Sequence, residues 1–221
     1  MLAIFKREFK SYFQNVIGWL FVAALLAVYG LYFYVYNLKN GYPYISYDLN
    51  GIGFIMMIAV PILTMRSLSD EKKTKTDQLM LTSPVSVGRI VAGKYFAMAA
   101  VYTIDIALFA LSPLVLSIYG KVALSEAYVA LFGYWLYGLS CIAVGLFISS
   151  ISESVIISAI LTFAALFLSY MMQSITGLIS SSGNLLTKVL NCFDLYTPFE
   201  NFVSGCFSVT SAAYYVTVIL L

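Results

Sequence analysis

The sequence predicts an all-α integral membrane protein with six transmembrane helices. The last of them is incomplete in this chain, an amphipathic helix precedes the first, and a short helix is expected inside the one long polar loop. Three observations carry that prediction. The 221 residues are 62% hydrophobic and only 10% charged, whereas a soluble domain has roughly 45–50% apolar and about 25% charged residues. The apolar residues come in blocks on the scale of a bilayer core about 30 Å thick. Half of the 12 Lys and Arg (Arg66, Lys72, Lys73, Lys75, Arg89 and Lys94) fall in the single stretch Met65–Lys94, between two such blocks.

In chain order, Met1–Phe13 comes first. Leu2, Phe5, Phe9, Tyr12 and Phe13 recur at helical spacing among Lys6, Arg7, Glu8 and Lys10, the pattern of a helix lying in the membrane interface. The apolar run behind it is too long for a signal-peptide core and offers no small-residue cleavage site, so cleavage is not expected. Val16–Leu38 is the first span, about 35 Å as a helix. Tyr29, Tyr32, Phe33, Tyr34 and Tyr36 crowd its outer half as an aromatic belt, unless one face lines a path. Gly51–Met65 is the second span. Its apolar stretch covers only about 20 Å, so the helix should extend outward through Tyr47 or sit against neighbours, with Pro61 bending its inner end.

The third span is Lys94–Ser117, with Asp105 near its middle. A mid-membrane carboxylate is costly unless it faces a bundle interior or water. Two readings stay open: a residue on a translocation path or subunit seam, or a carboxyl that is protonated or bonded to a neighbour such as Tyr102 or Thr103. Ala127–Phe147 is the fourth span, where Gly138, Cys141, Gly145 and Ser149 form a stripe of small residues that lets another helix approach. A turn of about six residues leads to the fifth span, Val155–Ile175. Thr176–Ser211 is too polar to span, yet Leu185, Leu186, Val189, Leu190 and Phe193 keep a helical period. From Ala212 to Leu221 the chain is apolar again but too short to cross a bilayer, hence the incomplete sixth span. Cys192 and Cys206 both fall in the outer region, and spacing leaves their pairing open.

Within the loop 66–93, Ser67 and Ser69 are expected to cap a helix whose first turn holds Asp70 and Glu71. Lys72, Lys73 and Lys75 follow, then Leu79, Met80 and Leu81 as something to bury, and Ser83-Pro84 opens the next helix. The basic excess marks this side as cytoplasmic. Lys6, Arg7 and Lys10 fall on the same side, against Lys39, Lys121 and Lys188 on the other.

Several activities are excluded by residue type. His is absent, which removes Ser-His and Cys-His nucleophile pairs and His metal sites. Gly93-Lys94 and Gly120-Lys121 are each followed by the wrong residue for a phosphate-binding loop, so the chain has no ATPase site of its own. Asp105 stands alone in its span, which argues against an intramembrane hydrolase. No inverted repeat is present to suggest a secondary carrier, and no basic surface suits nucleic acid.

The run carried by Glu71, Thr76, Leu79, Leu81, Thr82, Ser83, Pro84 and Val85 resembles the loop between the second and third helices of ABC type-2 permeases. Pro61 and Leu63-Thr64-Met65-Arg66 before it, and Gly93-Lys94 after it, match as well. It looks most like the small permeases related to gliding-motility and nitrous-oxide-accessory exporters. Gly145–Glu153 resembles that family's junction between helices four and five. Lys75 stands where the family usually has Gly, and Gln78 where it usually has Glu.

The resemblance implies one transmembrane domain over 1–221, the membrane subunit of an ATP-binding-cassette exporter in the cell membrane. The polar loop would be a coupling helix docked on a separate ATPase subunit through Arg66, Asp70, Glu71, Lys72, Thr76, Leu79 and Met80, with Glu153 nearby. ATP and Mg would sit on two ATPase copies and no cofactor on this chain. It further implies a second permease subunit, identical or paralogous, and outer helices in 176–211 that close the path, including Asp194, Pro198, Phe199, Glu200, Phe202 and Gly205. The alternative is a non-transporting scaffold that recruits an ATPase and an auxiliary extracytoplasmic protein.

Overall fold

The computed structural model describes residues 2–75, 86–119, 122–179 and 193–220, and every described regular element is helical. In order these are α1 (Leu2–Gln14), α2 (Val16–Phe33) running on as a π-helical segment (Tyr34–Lys39), α3 (Ser46–Thr64) and α4 (Ser69–Lys73). There follow α5 (Val87–Phe109), α6 (Ser112–Tyr119), α7 (Leu124–Ile151), α8 (Val155–Ile179), α9 (Thr197–Val203) and α10 (Val209–Leu220). Among the described residues, five stretches are long and apolar enough to cross a membrane: Val16–Lys39, Ser46–Lys73, Val87–Tyr119, Leu124–Ile151 and Val155–Met172. At 12 residues, α10 is shorter.

Several element ends follow from single residues. At the α1–α2 corner, a Cβ on Gly18 would lie 2.4 Å from the Tyr12 carbonyl oxygen, so only glycine permits so sharp a return. Phe13 and Trp19 lock the same corner edge to face, and the Trp19 indole N–H donates to the Phe13 carbonyl at 2.9 Å. The third membrane stretch is broken. Pro113 cannot donate to Phe109 and would crowd its carbonyl; α5 stops there, and the Ser112 hydroxyl donates to the Phe109 oxygen at 2.7 Å instead.

The longest helix among the described residues, α7, is the centre of the bundle. It packs against α3, α5, α8, α9 and α10, and the stripe of small residues is the reason it can. A Cβ on Gly138 would lie 2.3 Å from the Tyr102 ring, and one on Gly145 2.5 Å from the Thr64 hydroxyl. Cys141 and Ser149, on the same stripe, are fully buried. At one end α9 plugs the space between α3 and α7 with Phe199 and Phe202, both fully buried. Asp194 sets the start of that plug, its Oδ1 accepting the backbone N–H groups of Tyr196 and Thr197 at 2.9 and 3.0 Å. Rings then run across the bundle without a gap, Tyr29–Phe109–Tyr134–Phe199–Tyr196–Tyr170, with centroids 4.1–6.4 Å apart.

Candidate functional site

At the end of the bundle opposite the α9 plug, α1, α4 and the starts of α5 and α8 meet the end of α7. Lys94, in the second turn of α5, keeps only 2% of its side-chain surface exposed. A buried ammonium needs partners, and α4, α1 and the turn before α4 bring them. Its Nζ lies 2.7 Å from Glu71 Oε1 of α4 and 3.6 Å from Glu8 Oε1 of α1, and it donates to the Ser67 carbonyl at 2.8 Å. Arg7, largely exposed, completes a charge-balanced group by pairing with Glu8 at 2.7 Å and reaching Glu71 at 4.0 Å. Burial, and after it the Glu8 carboxylate, holds the Tyr12 hydroxyl above its ordinary pKa range, so it stays neutral beside this group.

A second set of bonds fixes the start of α4. Ser149, at the end of α7, turns its Oγ to accept the backbone N–H groups of Leu68 and Ser69, both at 3.2 Å. These are donors a helix start leaves orphaned. The Ser69 hydroxyl lies 2.9 Å from the same Oγ and donates to the Met65 carbonyl at 2.7 Å. The Lys72 ammonium donates to the Ser150 carbonyl. Neither Ser67 nor Ser69 caps α4, contrary to the expectation from sequence. Ser69 is already inside the helix, and the capping oxygen comes from about 80 residues away. Beyond α4, Lys75 adopts φ +56°, the left-handed conformation that glycine takes at such helix ends.

The residues expected from the sequence to dock therefore divide into two groups. Glu71 and Lys72 point into the bundle and hold α4 in place. Arg66 and Glu153 are exposed, Asp70 is half-buried, and Lys73, not among the residues expected to dock, is exposed as well. Thr76, Leu79 and Met80 lie outside the described residues, as do Lys121 and Cys192. Sequence reasoning missed Ser149 as a bonding group and Lys94 as the hub. The available signal was Lys94's position on a helix face with Ile90, Ala97, Met98 and Val101, all buried.

Asp105 is fully buried, and neither carboxylate oxygen has a hydrogen-bond partner among the described residues. The neighbours proposed for it are otherwise engaged: Tyr102 donates to the Tyr134 carbonyl at 2.7 Å and Thr103 to the Ala99 carbonyl at 2.7 Å. Tyr134 Oη, on the facing helix, is likewise buried and unpartnered. Asp105 thus sits inside the protomer, on the face of α5 turned to α7.

No curated protein matches the chain at a significant level. The family model described as ABC-2 family transporter protein matches residues 29–221, from within the second half of α2 onward. Matched over nearly its whole membrane bundle, and helical with five membrane-length stretches in its described residues, the chain belongs to the ABC-2 family of transporter proteins.

Proposed function

We propose that this chain is the permease subunit of an ATP-driven exporter, coupled through α4 and the stretch 76–85 to a separate ATPase subunit. The observation that carries the proposal is the way α4 is held. A solvated connection between spans needs no fixed place, whereas this five-residue helix is bonded to α1, α5 and α7 by Glu71, Ser149 and Lys72. A push on α4 would therefore reach the bases of three helices at once. Arg66, Asp70, Lys73 and Glu153 remain on the outward side to meet the ATPase, and Thr76, Leu79 and Met80 follow directly in the chain. The excess of Lys and Arg at this end favours a cytoplasmic placement for it and for α1. The pathway would form against a second permease subunit, identical or paralogous, served by two ATPase copies. The α9 plug would then close its outer end.

The test is ATP turnover by the reconstituted complex. Glu71→Ala and Ser149→Ala should weaken ATPase binding or abolish stimulation by a transported compound, with insertion and expression unchanged. The exposed Arg66→Ala should weaken binding without loosening α4. If all three variants bind and turn over as the parent does, α4 is a plain connection. ATPase recruitment without transport of any compound would favour the scaffold reading.

A further inference from the structure

The return from α2 to α3, at the α9 end of the bundle, buries two polar side chains against each other. Asp48, in the first turn of α3, is fully buried, and Asn37, in the π-helical segment, is 5% exposed. The segment carries Asn37 inward although Val35, Leu38 and Lys39 around it are exposed, and π turns recur at functional sites. The Asn37 Nδ2–H donates to Asp48 Oδ2. Two atoms are left over. Asp48 Oδ1 and Asn37 Oδ1 are both buried and have no hydrogen-bond partner among the described residues.

Both are acceptors, so the missing group is a donor or a cation. The surroundings supply neither. From α2, Tyr29 lies within electrostatic reach of Asp48, but its hydroxyl donates to Ser112 Oγ, whose own proton goes to the Phe109 carbonyl. From α9, Tyr196 turns its hydroxyl to Asn50 Oδ1, and Asp194 caps its own helix. Tyr137 of α7 and Tyr170 of α8 pack their rings on Tyr196. Lys39 is exposed, and no ion pair joins Asp48 to a described residue. The first turn of a helix suits an anion, yet no backbone N–H reaches Oδ1. Turning the amide over only sets oxygen against oxygen.

An ionised carboxylate held by one neutral amide is the costly way to bury this group. A hard metal ion asks for about six oxygens, and the pair leaves two. A proton needs one acceptor and satisfies both atoms together: it makes Asp48 Oδ1 a donor, and the planar amide already bonded alongside presents its oxygen. We propose that Asp48 and Asn37 form a proton-binding site, a carboxylic acid and an amide joined by two parallel hydrogen bonds. It ties α3 to the π-helical segment without burying a charge. Asn50, two residues further along α3, anchors Tyr196 at the start of the plug, so loss of the proton places a charge beside that anchor.

Folding then takes up a proton that an ordinary aspartate releases above about pH 4. The pair's contribution therefore falls as pH rises, by about tenfold in the folding equilibrium per unit between roughly pH 5 and 7. Asparagine at 48 keeps both hydrogen bonds, with N–H in place of O–H, and binds no proton. The test is SDS-induced unfolding of the full chain in mixed micelles. Near pH 4 the parent and Asp48→Asn should unfold alike, and the parent should then fall behind by about tenfold per pH unit. Separately, the infrared spectrum of the parent near neutral pH should hold a carboxylic-acid C=O band that Asn37→Leu moves to higher frequency; this arm decides if Asp48→Asn does not fold. A parent that keeps pace with Asp48→Asn overturns the proposal, as does the lack of any acid band that responds to Asn37→Leu. Unfolding that depends on sodium or calcium in the parent but not in Asp48→Asn gives the pair to a metal ion and overturns it equally.

Discussion

Replacing Lys94 by methionine isolates the group at the base of the bundle, since methionine keeps the stem and removes only the charge. In the parent, Lys94 neutralises two carboxylates, Glu71 at 2.7 Å and Glu8 at 3.6 Å, while itself only 2% exposed. Without it those carboxylates face each other, and the Ser67 carbonyl loses its donor. Breaking a buried pair by removing one partner costs roughly 3–5 kcal/mol. Glu71 and Glu8 keep 21% and 15% of their side-chain surface, so water can relieve part of the loss, and about 3 kcal/mol is expected. The assay is thermal unfolding of the purified protein in detergent. Adding Glu71→Gln should recover most of the loss, because the repulsion then disappears. Arg7→Ala serves as the control: Arg7 is 60% exposed, and such pairs contribute at most about 1 kcal/mol. Should Lys94→Met unfold with the parent, or the double variant fail to recover, Lys94 is not the hub.

Three further outcomes follow from single positions. Lys75→Gly relieves a left-handed non-glycine residue and should stabilise the end of α4 by about 1 kcal/mol, read as slower amide exchange at Thr74 and Lys75. Gly138→Ala puts a methyl 2.3 Å from the Tyr102 ring and should destabilise the α5–α7 contact by about 1–3 kcal/mol in the same thermal assay. Asp105→Leu removes a buried carboxyl that has no hydrogen-bond partner among the described residues, so thermal stability should hold or rise, by up to about 3 kcal/mol. A fall would mean that Asp105 has a bonding partner. Transport by Asp105→Asn separately decides whether the residue serves the path.

The membrane stretches were legible because blocks of apolar residues are a one-dimensional signal, and the stripe of Gly138, Cys141, Gly145 and Ser149 because small residues at helical spacing have one common use. The base of the bundle was not. Positive-inside counting treats every Lys alike, so Lys94 looked like another loop cation although it is buried. Ser149 looked like a small packing residue because the backbone it caps lies about 80 positions away. From the loop alone Glu71 reads as an ATPase contact; that its Oε1 also lies 2.7 Å from the Lys94 ammonium depends on a helix 23 positions away. Local patterns name the elements; which polar side chain turns inward depends on tertiary neighbours. The break before Pro113 shows the converse, since proline's effect on Phe109 is local and was open to reading in advance.

An ATPase that works on α4 and the residues just after it must come within reach of the side chains exposed there. Photo-crosslinking amino acids placed at Lys73, Leu79 and Glu153, one at a time in native membranes, test this most directly, with Tyr119 near the α6–α7 turn as control. The first three should capture a protein carrying a nucleotide-binding phosphate loop, and Tyr119 should not. Capture of no such protein at any of the three positions, or capture at Tyr119 instead, would contradict it.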